Sequence, residues 1–276
     1  MRFIFIDGSY FIFFRYNALK SWWKLAHQDE ELVPDENDDF KEKFRKTFVD
    51  KIKEIPKKLG IKKGEPYRIF VGQDCKQAKI WRMQHLSSYK GTRPDTTTEG
   101  KFFSIVYNEH LFENTLGDEC ILRYPQLEAD DVIALSVKHI CSQSQEHECY
   151  IISSDGDYLQ LCHPRIHIYD LKFKDIKTRS PAYLEPESVK KMFVAKCLSG
   201  DKSDNIPAAF PKCGKKTAEK LAELPHDELM NELQKRCKDG SAIQQFQLND
   251  LMMNFDQIPT ELSSQFLEAN IYKFNC

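Results

Sequence analysis

Three short apolar runs in this sequence each lead to a carboxylate. Phe-Ile-Phe-Ile at 3–6 ends at Asp7. Tyr-Arg-Ile-Phe-Val at 67–71 leads through Gly72 and Gln73 to Asp74. Tyr-Ile-Ile at 150–152 leads through Ser153 and Ser154 to Asp155, with Asp157 two residues on. A further acidic group, Glu128-Ala129-Asp130-Asp131, opens a helical pattern, and Asp201 and Asp204 stand together after Gly200. Singly, each has an ordinary explanation. An Asp after a strand is a turn residue or helix cap, and acids in a first helical turn complement the helix dipole. Jointly they carry chemistry. Carboxylates gathered at one edge repel each other and must take up protons or bind cations. Hard divalent ions such as Mg²⁺ or Mn²⁺ prefer such oxygen ligands. Two ions roughly 4 Å apart form a clamp suited to phosphodiester hydrolysis.

The elements that would gather them are legible. Runs that are apolar at every position suit strands buried on both faces of a parallel sheet. A fourth run, Ile-His-Ile-Tyr at 166–169, ends at Asp170. Helical patterns cover 41–59 and 128–140, the latter with Val132, Ile133, Leu135, Val137 and Ile140 on its apolar faces. This alternation predicts an α/β fold with a mostly parallel central sheet and helices on both faces. In such sheets ligands bind beyond the carboxyl ends of the strands, where the acids lie. Strand patterns stop from about 187. A boundary near 185, around Pro181 and Pro186, divides the chain into 1–185 and a helical 186–276. Residues 28–39 read as an acidic surface loop.

Composition narrows the classes. The 276 residues, 41% hydrophobic, suffice for one sizeable core or one core with a small satellite. No stretch reaches the roughly 18 apolar residues of a membrane span. The apolar N-terminus carries Arg2 and Asp7 and lacks a cleavage site, so it reads as a buried strand rather than a signal peptide. Nine cysteines without a Cys-x-x-Cys pair point to reduced thiols and an intracellular protein. His139, Cys141, His147 and Cys149 cluster in sequence but lack the spacing of structural zinc sites. Net charge is −2, yet setting aside the nine acids Asp7, Asp74, Glu128, Asp130, Asp131, Asp155, Asp157, Asp201 and Asp204 leaves the rest of the chain at +7. A basic body around an acidic centre suits a polyanion such as nucleic acid, whose phosphates dominate affinity.

Six segments in order resemble the flap endonuclease / 5′→3′ exonuclease superfamily, most of all its phage, viral and bacterial branch. They are IleAspGlySer at 6–9, GlyGlnAsp at 72–74, TyrLysGlyThrArg at 89–93, GluAlaAspAsp at 128–131, SerSerAspGlyAsp at 153–157 and GlyAspLysSerAspAsnIlePro at 200–207. The resemblance spans roughly residues 3–222. It implies a PIN-like nuclease domain with two Mg²⁺ or Mn²⁺ ions. Asp7, Asp74, Glu128, Asp130 and Asp131 would serve the first ion, and Asp155, Asp157, Asp201 and Asp204 the second; Asp74 and Asp155 count among the catalytic residues. It also implies an arch, about 75–115, that passes a single-stranded 5′ end. Lys76, Lys79, Trp81, Arg82, His85, Tyr89, Lys90 and Arg93 interleave charge with rings there, as single-strand binding favours. On a helix Lys79 and Arg82 would share a face. Lys90 and Arg93 would grip the scissile phosphate, and Tyr89 would stack on a base. A helix-turn-helix-type loop at Gly214, Lys215, Lys216 and Thr217 would hold duplex phosphates. Only one glycine of its usual pair remains, which disfavours the potassium ion such a loop can hold.

The activity expected is metal-dependent cleavage of DNA at 5′ flaps and ends by a stand-alone, monomeric enzyme that acts at single-strand/double-strand junctions, not at a membrane. Gln265-Phe266-Leu267 is too little for a sliding-clamp peptide. Two alternatives stand beside it. A PIN-like ribonuclease would lack the arch and duplex loop. A non-catalytic nucleic-acid scaffold would have lost metal carboxylates. A haloacid-dehalogenase-type phosphatase would need an Asp where Ser9 stands.

Overall fold

The computed structural model describes residues 1–28, 32–76, 79–92 and 98–275. Five strands form one sheet: β1 (Arg2–Asp7), β2 (Tyr67–Gly72), β3 (Ile121–Leu122), β4 (Glu148–Ile152) and β5 (Ile166–Tyr169). Their order is β3-β2-β1-β4-β5, and every pairing is parallel. All carboxyl ends therefore open on one edge. The register is level there: Asp7 lies beside Gly72, and Ile6 beside Ile152. The chain builds outward from β1 to β2 and β3, then returns to the other side of β1 for β4. That reversal makes the crevice beside β1 the natural ligand site.

Among the described residues the α-helices are α1 (Gly8–Ala26), α2 (Asp38–Lys58), α3 (Thr98–Asn108), α4 (Leu111–Leu116), α5 (Ala129–Gln143), α6 (Pro186–Ser199), α7 (Lys215–Leu221), α8 (His226–Arg236), α9 (Ser241–Met253) and α10 (Thr260–Asn270). Alternation along the strands divides the core into two layers. Phe3, Phe5, Cys149 and Ile151 face α5 and α10. Ile4, Ile6, Tyr150 and Ile152 face α1 to α4. Helices thus cover both faces, as the sequence pattern predicts.

The apolar N-terminus is strand only to Asp7. Asp7 then caps α1 by accepting the Tyr10 N–H at 3.0 Å. Phe11, Ile12, Tyr16, Leu19 and Trp23 recur at helical spacing and are buried. In α2, Asn37 accepts the Phe40 N–H at 2.8 Å. Phe40, Phe44, Phe48, Ile52 and Ile55 then form a single buried stripe. The cap explains why α2 starts at Asp38 rather than 41.

Much of the segment expected as an arch belongs to this layer. Phe102 and Val106 of α3 and Phe112 of α4 have no solvent exposure and pack with α1 and α2. Residues 93–97 lie outside the described ones.

A third apolar cluster gathers α6 to α9, with Leu198, Ala218, Leu233, Phe246 and Met252 at its centre. Ile80 and Tyr89 join it from the earlier part of the chain. α10 returns to pack on α5, placing Phe266 in the sheet-side core. None of the helices is long and apolar enough to cross a membrane, among the described residues.

Candidate active site

Gly72 lets two acidic segments meet. A Cβ there would lie 2.8 Å from the Ala129 carbonyl oxygen and 2.8 Å from the Ile133 side chain. Without one, β2 ends directly against the start of α5. Asp74 Oδ1 then accepts the Ala129 N–H at 2.9 Å, and Asp74 Oδ2 accepts the Ser9 hydroxyl at 2.6 Å. Asp7 Oδ2 lies 3.3 Å from the Ser153 hydroxyl and 3.4 Å from the Tyr158 hydroxyl. The Ser153 oxygen accepts the Asp155 N–H at 3.2 Å, and Asp155 accepts the Asp157 N–H at 2.9 Å. One set of bonds thus ties the end of β2 to α1 and α5, and a second ties the end of β1 to the segment after β4.

Like charges crowd this edge. Burial, then the negative charge of Asp74, raises the Asp7 carboxyl to about 7; Asp155 adds to the rise and the Tyr10 N–H opposes it. Burial, then the charges of Asp131 and Glu128, pushes Asp130 well above the usual carboxylate range. The donor set is oxygen-only and electrostatically unsatisfied, which fits hard divalent cations. Glu128, Asp130 and Asp131 offer oxygens within 4.8 Å of one another.

Within that trio the roles differ. Arg82 makes a bidentate pair with Asp131: Nη2 to Oδ1 at 2.7 Å and Nη1 to Oδ2 at 2.8 Å. The same Nη1 reaches Glu128 Oε2 at 2.8 Å, and Nε donates to the Met252 carbonyl at 2.6 Å. Trp81 Nε1 and the Glu128 N–H, each at 3.1 Å, complete the bonds to Asp131. Asp131 has no solvent exposure. Protein donors thus bond both of its oxygens, which stay clustered with those of Glu128 and Asp130.

The reading of Arg82 is corrected. At 2% exposure it is the internal counter-charge of the helix start, not a nucleic-acid contact. Trp81–Gln84 is a single 3₁₀ turn, so Lys79, which is exposed, and Arg82 do not share a helical face. Tyr89 is corrected too. Its ring is 3% exposed in the third apolar cluster, which leaves no face for a base. Its hydroxyl lies 3.1 Å from Glu128 Oε2 and 3.3 Å from Asp204 Oδ2.

Lys90 stands at the rim. Its ammonium bonds Glu128 Oε1 and lies 3.9 Å from Asp204 Oδ2. Burial pushes Glu128 up, but Lys90 and then Arg82 outweigh it and hold the carboxyl below its ordinary value. Lys90 adopts φ +55°. A left-handed non-glycine residue costs roughly 1–2 kcal/mol and persists where surroundings enforce it. Here the Lys90 N–H donates to the Asp204 carbonyl at 3.0 Å. Arg93 lies outside the described residues.

The last acids arrive on a tight loop. Gly200 has φ +71°, and a Cβ there would lie 2.4 Å from the Ile206 carbonyl oxygen. This allows the Asp201–Ile206 bridge that presents both Asp201 and Asp204. Lys196, a residue that motif reasoning passed over, bonds Asp157 and lies 3.1 Å from Asp201 Oδ2. Burial works against its charge, but Asp157 and Asp201 hold its pKa well above the ordinary lysine value. Its only sequence signal is a lysine in the last turn of a helix that runs into Gly200-Asp201.

The duplex-loop residues lie apart, on α7. Gly214 is its N-cap, and Lys215 and Lys216 are exposed. His139, Cys141, His147 and Cys149 do not converge as a four-ligand site: Cys141 and Cys149 meet at 3.9 Å, while His147 packs on Phe3 and His139 on Phe274.

The family model described as 5′-3′ exonuclease, N-terminal resolvase-like domain, matches residues 2–193. The chain is 37% identical over 98 residues to DNA polymerase I of Rhizobium leguminosarum, covering 35% of this chain and 9% of that protein. It is 30% identical over 177 residues to DNA polymerase I of Streptococcus pneumoniae, covering 61% and 19%. The chain thus spans under a fifth of these polymerases. A 5′-3′ exonuclease of Mycoplasmopsis pulmonis is 27% identical over 254 residues, 84% of this chain and 79% of that one. Among solved structures, a bacteriophage T5 flap endonuclease in a pseudo-enzyme–product complex with DNA and metal ions superposes with TM-score 0.68 at 15% identity, covering 99% of each chain. The T5 5′-exonuclease with divalent metal ions (zinc) bound superposes at 0.65 and 17%, covering 100% of each. At those identities the likeness is one of fold. The match across residues 2–193 is the stronger finding, and by it this chain belongs to the 5′-3′ exonuclease family with the N-terminal resolvase-like domain.

Proposed function

We propose that the chain is a metal-dependent 5′ nuclease that hydrolyses DNA phosphodiesters at 5′ ends and flaps. The observation that carries this is the convergence of Asp7, Asp74, Asp130 and Asp155 at the carboxyl edge of β1, β2 and β4. Burial, together with the charges of Asp74 and Asp155, lifts Asp7 to about 7. That crowding costs stability unless cations occupy the edge.

Asp7, Asp74, Asp130 and Glu128 would hold one Mg²⁺ or Mn²⁺ ion, and Asp155, Asp157, Asp201 and Asp204 a second. Bound there, such ions supply an activated water and offset charge on the phosphodiester. The protein's own groups do the rest. Ser9 and Ser153 orient Asp74 and Asp7. Arg82 holds Asp131 and Glu128 so that α5 starts in register with β2. Lys90 brings a positive charge to the mouth, where it steadies the phosphate as charge develops. Lys215 and Lys216 on α7 fit contacts to the duplex backbone, which position without reading sequence.

The test is cleavage of a 5′-labelled flap duplex with Mg²⁺ and with EDTA, beside a single-stranded RNA of the same sequence. Metal-dependent cutting of the DNA near the junction supports the proposal. Cutting of the RNA alone transfers the site to a ribonuclease. DNA binding without cutting of either leaves a scaffold.

A further inference from the structure

We propose that the cavity between the 3₁₀ turn Gly156–Leu161 and α6 receives one unstacked nucleobase of the bound strand. The proposal rests on the nuclease reading above and assigns a second recognition element to the same site.

The cavity measures about 240 Å³. Its lining includes Asp155, Asp157 and Lys196, the same groups that belong to the carboxylate edge. Leu159 and Val189 in the lining are buried, at 6% and 7% exposure. Tyr183 and Phe193 in the lining are half-buried, and Met192 is exposed at 37%. A lining that joins apolar side chains to charged groups of the carboxylate edge matches a nucleotide, whose base is apolar on its faces and whose phosphate is charged. A strand with a phosphate at the carboxylate edge brings a neighbouring base within reach of this slot. The volume falls below the roughly 300–1,000 Å³ of pockets for drug-sized ligands, so it takes one ring system.

The lining also says how the base is read. Gln160 is the amide in the wall, and both its ends are committed: Nε2 donates to the Met253 carbonyl at 3.0 Å and Oε1 accepts the Phe255 N–H at 3.1 Å. Apart from the charged groups shared with the carboxylate edge and the Tyr183 hydroxyl, what remains is aliphatic, aromatic and thioether surface. Such surface holds any base through its faces and discriminates weakly among sequences. The slot therefore anchors the strand by the presence of a base, not by its identity.

The experiment pairs protein variants with base-deleted substrates. Single-turnover cleavage of a flap duplex is measured with one abasic nucleotide at each position within three of the cut. The wild type, Tyr183→Ala and Met192→Ala are compared after circular dichroism confirms folding. The expected result is one position where the abasic substrate raises the half-saturating enzyme concentration about fivefold or more, the low end of a lost base–aromatic contact. At that position, and no other, the penalty disappears in Tyr183→Ala, and Met192→Ala reduces it. Replacing the base there with any of the other three leaves the wild type within about twofold. Equal abasic penalties in wild type and both variants at every position overturn the proposal while leaving the nuclease reading intact. Absence of metal-dependent cleavage of the intact flap by wild type overturns both.

Discussion

Arg82 and Asp131 form a two-pronged ion pair at 2.7 and 2.8 Å, with both side chains at most 2% exposed. The pair fixes the start of α5 and with it Glu128 and Asp130. A buried pair tolerates loss of one partner poorly, because the other charge is left uncompensated. Arg82→Ala is therefore expected to lower unfolding free energy by about 3–5 kcal/mol, read from denaturant midpoints. An Arg82→Ala protein of unchanged stability with weakened DNA binding would return Arg82 to the nucleic-acid interface.

Tyr89 gives a sharper choice. Because its hydroxyl meets Glu128 and Asp204 while its ring is buried, Tyr89→Phe should slow single-turnover cleavage and leave DNA affinity within about twofold, given that one hydrogen bond to a charged group is worth roughly 1.5–3 kcal/mol. If the ring stacked on a base instead, Tyr89→Phe would be silent.

Lys90→Ala should reduce the single-turnover rate by about 10²–10³, the usual effect of removing one charge-stabilising donor. Affinity for the flap should change by less than about threefold. An unchanged rate removes Lys90 from the chemistry.

The crowded acids predict a pH dependence in metal-free protein. The folded Asp7 carboxyl, at about 7, lies above its unfolded value near 3.9. Between those values the folded state holds more protons, so stability falls as pH rises toward about 7 and then levels. In EDTA, the wild-type melting temperature relative to that of Asp7→Asn should therefore decline from pH 4.5 to 7.5. Mg²⁺ added at pH 7.5 should raise the wild type more than the variant. A difference that stays flat with pH would contradict the burial and repulsion described for Asp7.

Lys215→Ala with Lys216→Ala should weaken duplex binding and flatten its dependence on log salt by up to about 1.8, on the roughly 0.9 per phosphate contact found for duplex DNA. Loss confined to single strands would place these lysines elsewhere.

The sequence announces the part of the site that local pattern controls. Apolar runs ending at Asp7, Asp74 and Asp155 are strand ends in or next to a parallel sheet, and level register brings them together. The helix α1 is hidden because Gly8-Ser9 reads as a turn and the aromatic run after it continues the strand pattern. β3 is two residues long and carries almost no periodic signal. The fates of Arg82 and Tyr89 are illegible for another reason. Both depend on partners far along the chain, Met252 for one and Asp204 for the other, so a basic and aromatic segment that looks exposed is folded inward. Lys196 is likewise visible only once α6 brings it between Asp157 and Asp201.

The most direct test of the central claim is the cleavage rate and flap affinity of Asp74→Asn measured side by side in Mg²⁺. Asparagine keeps the shape, its oxygen can still accept the Ala129 N–H, and its amide can donate to the Ser9 oxygen in place of the present bond, while the charge a cation needs is removed. The rate should fall by at least about 10²-fold, the scale of removing one group that stabilises transition-state charge, with binding largely kept. Wild-type cleavage by Asp74→Asn would contradict the central claim.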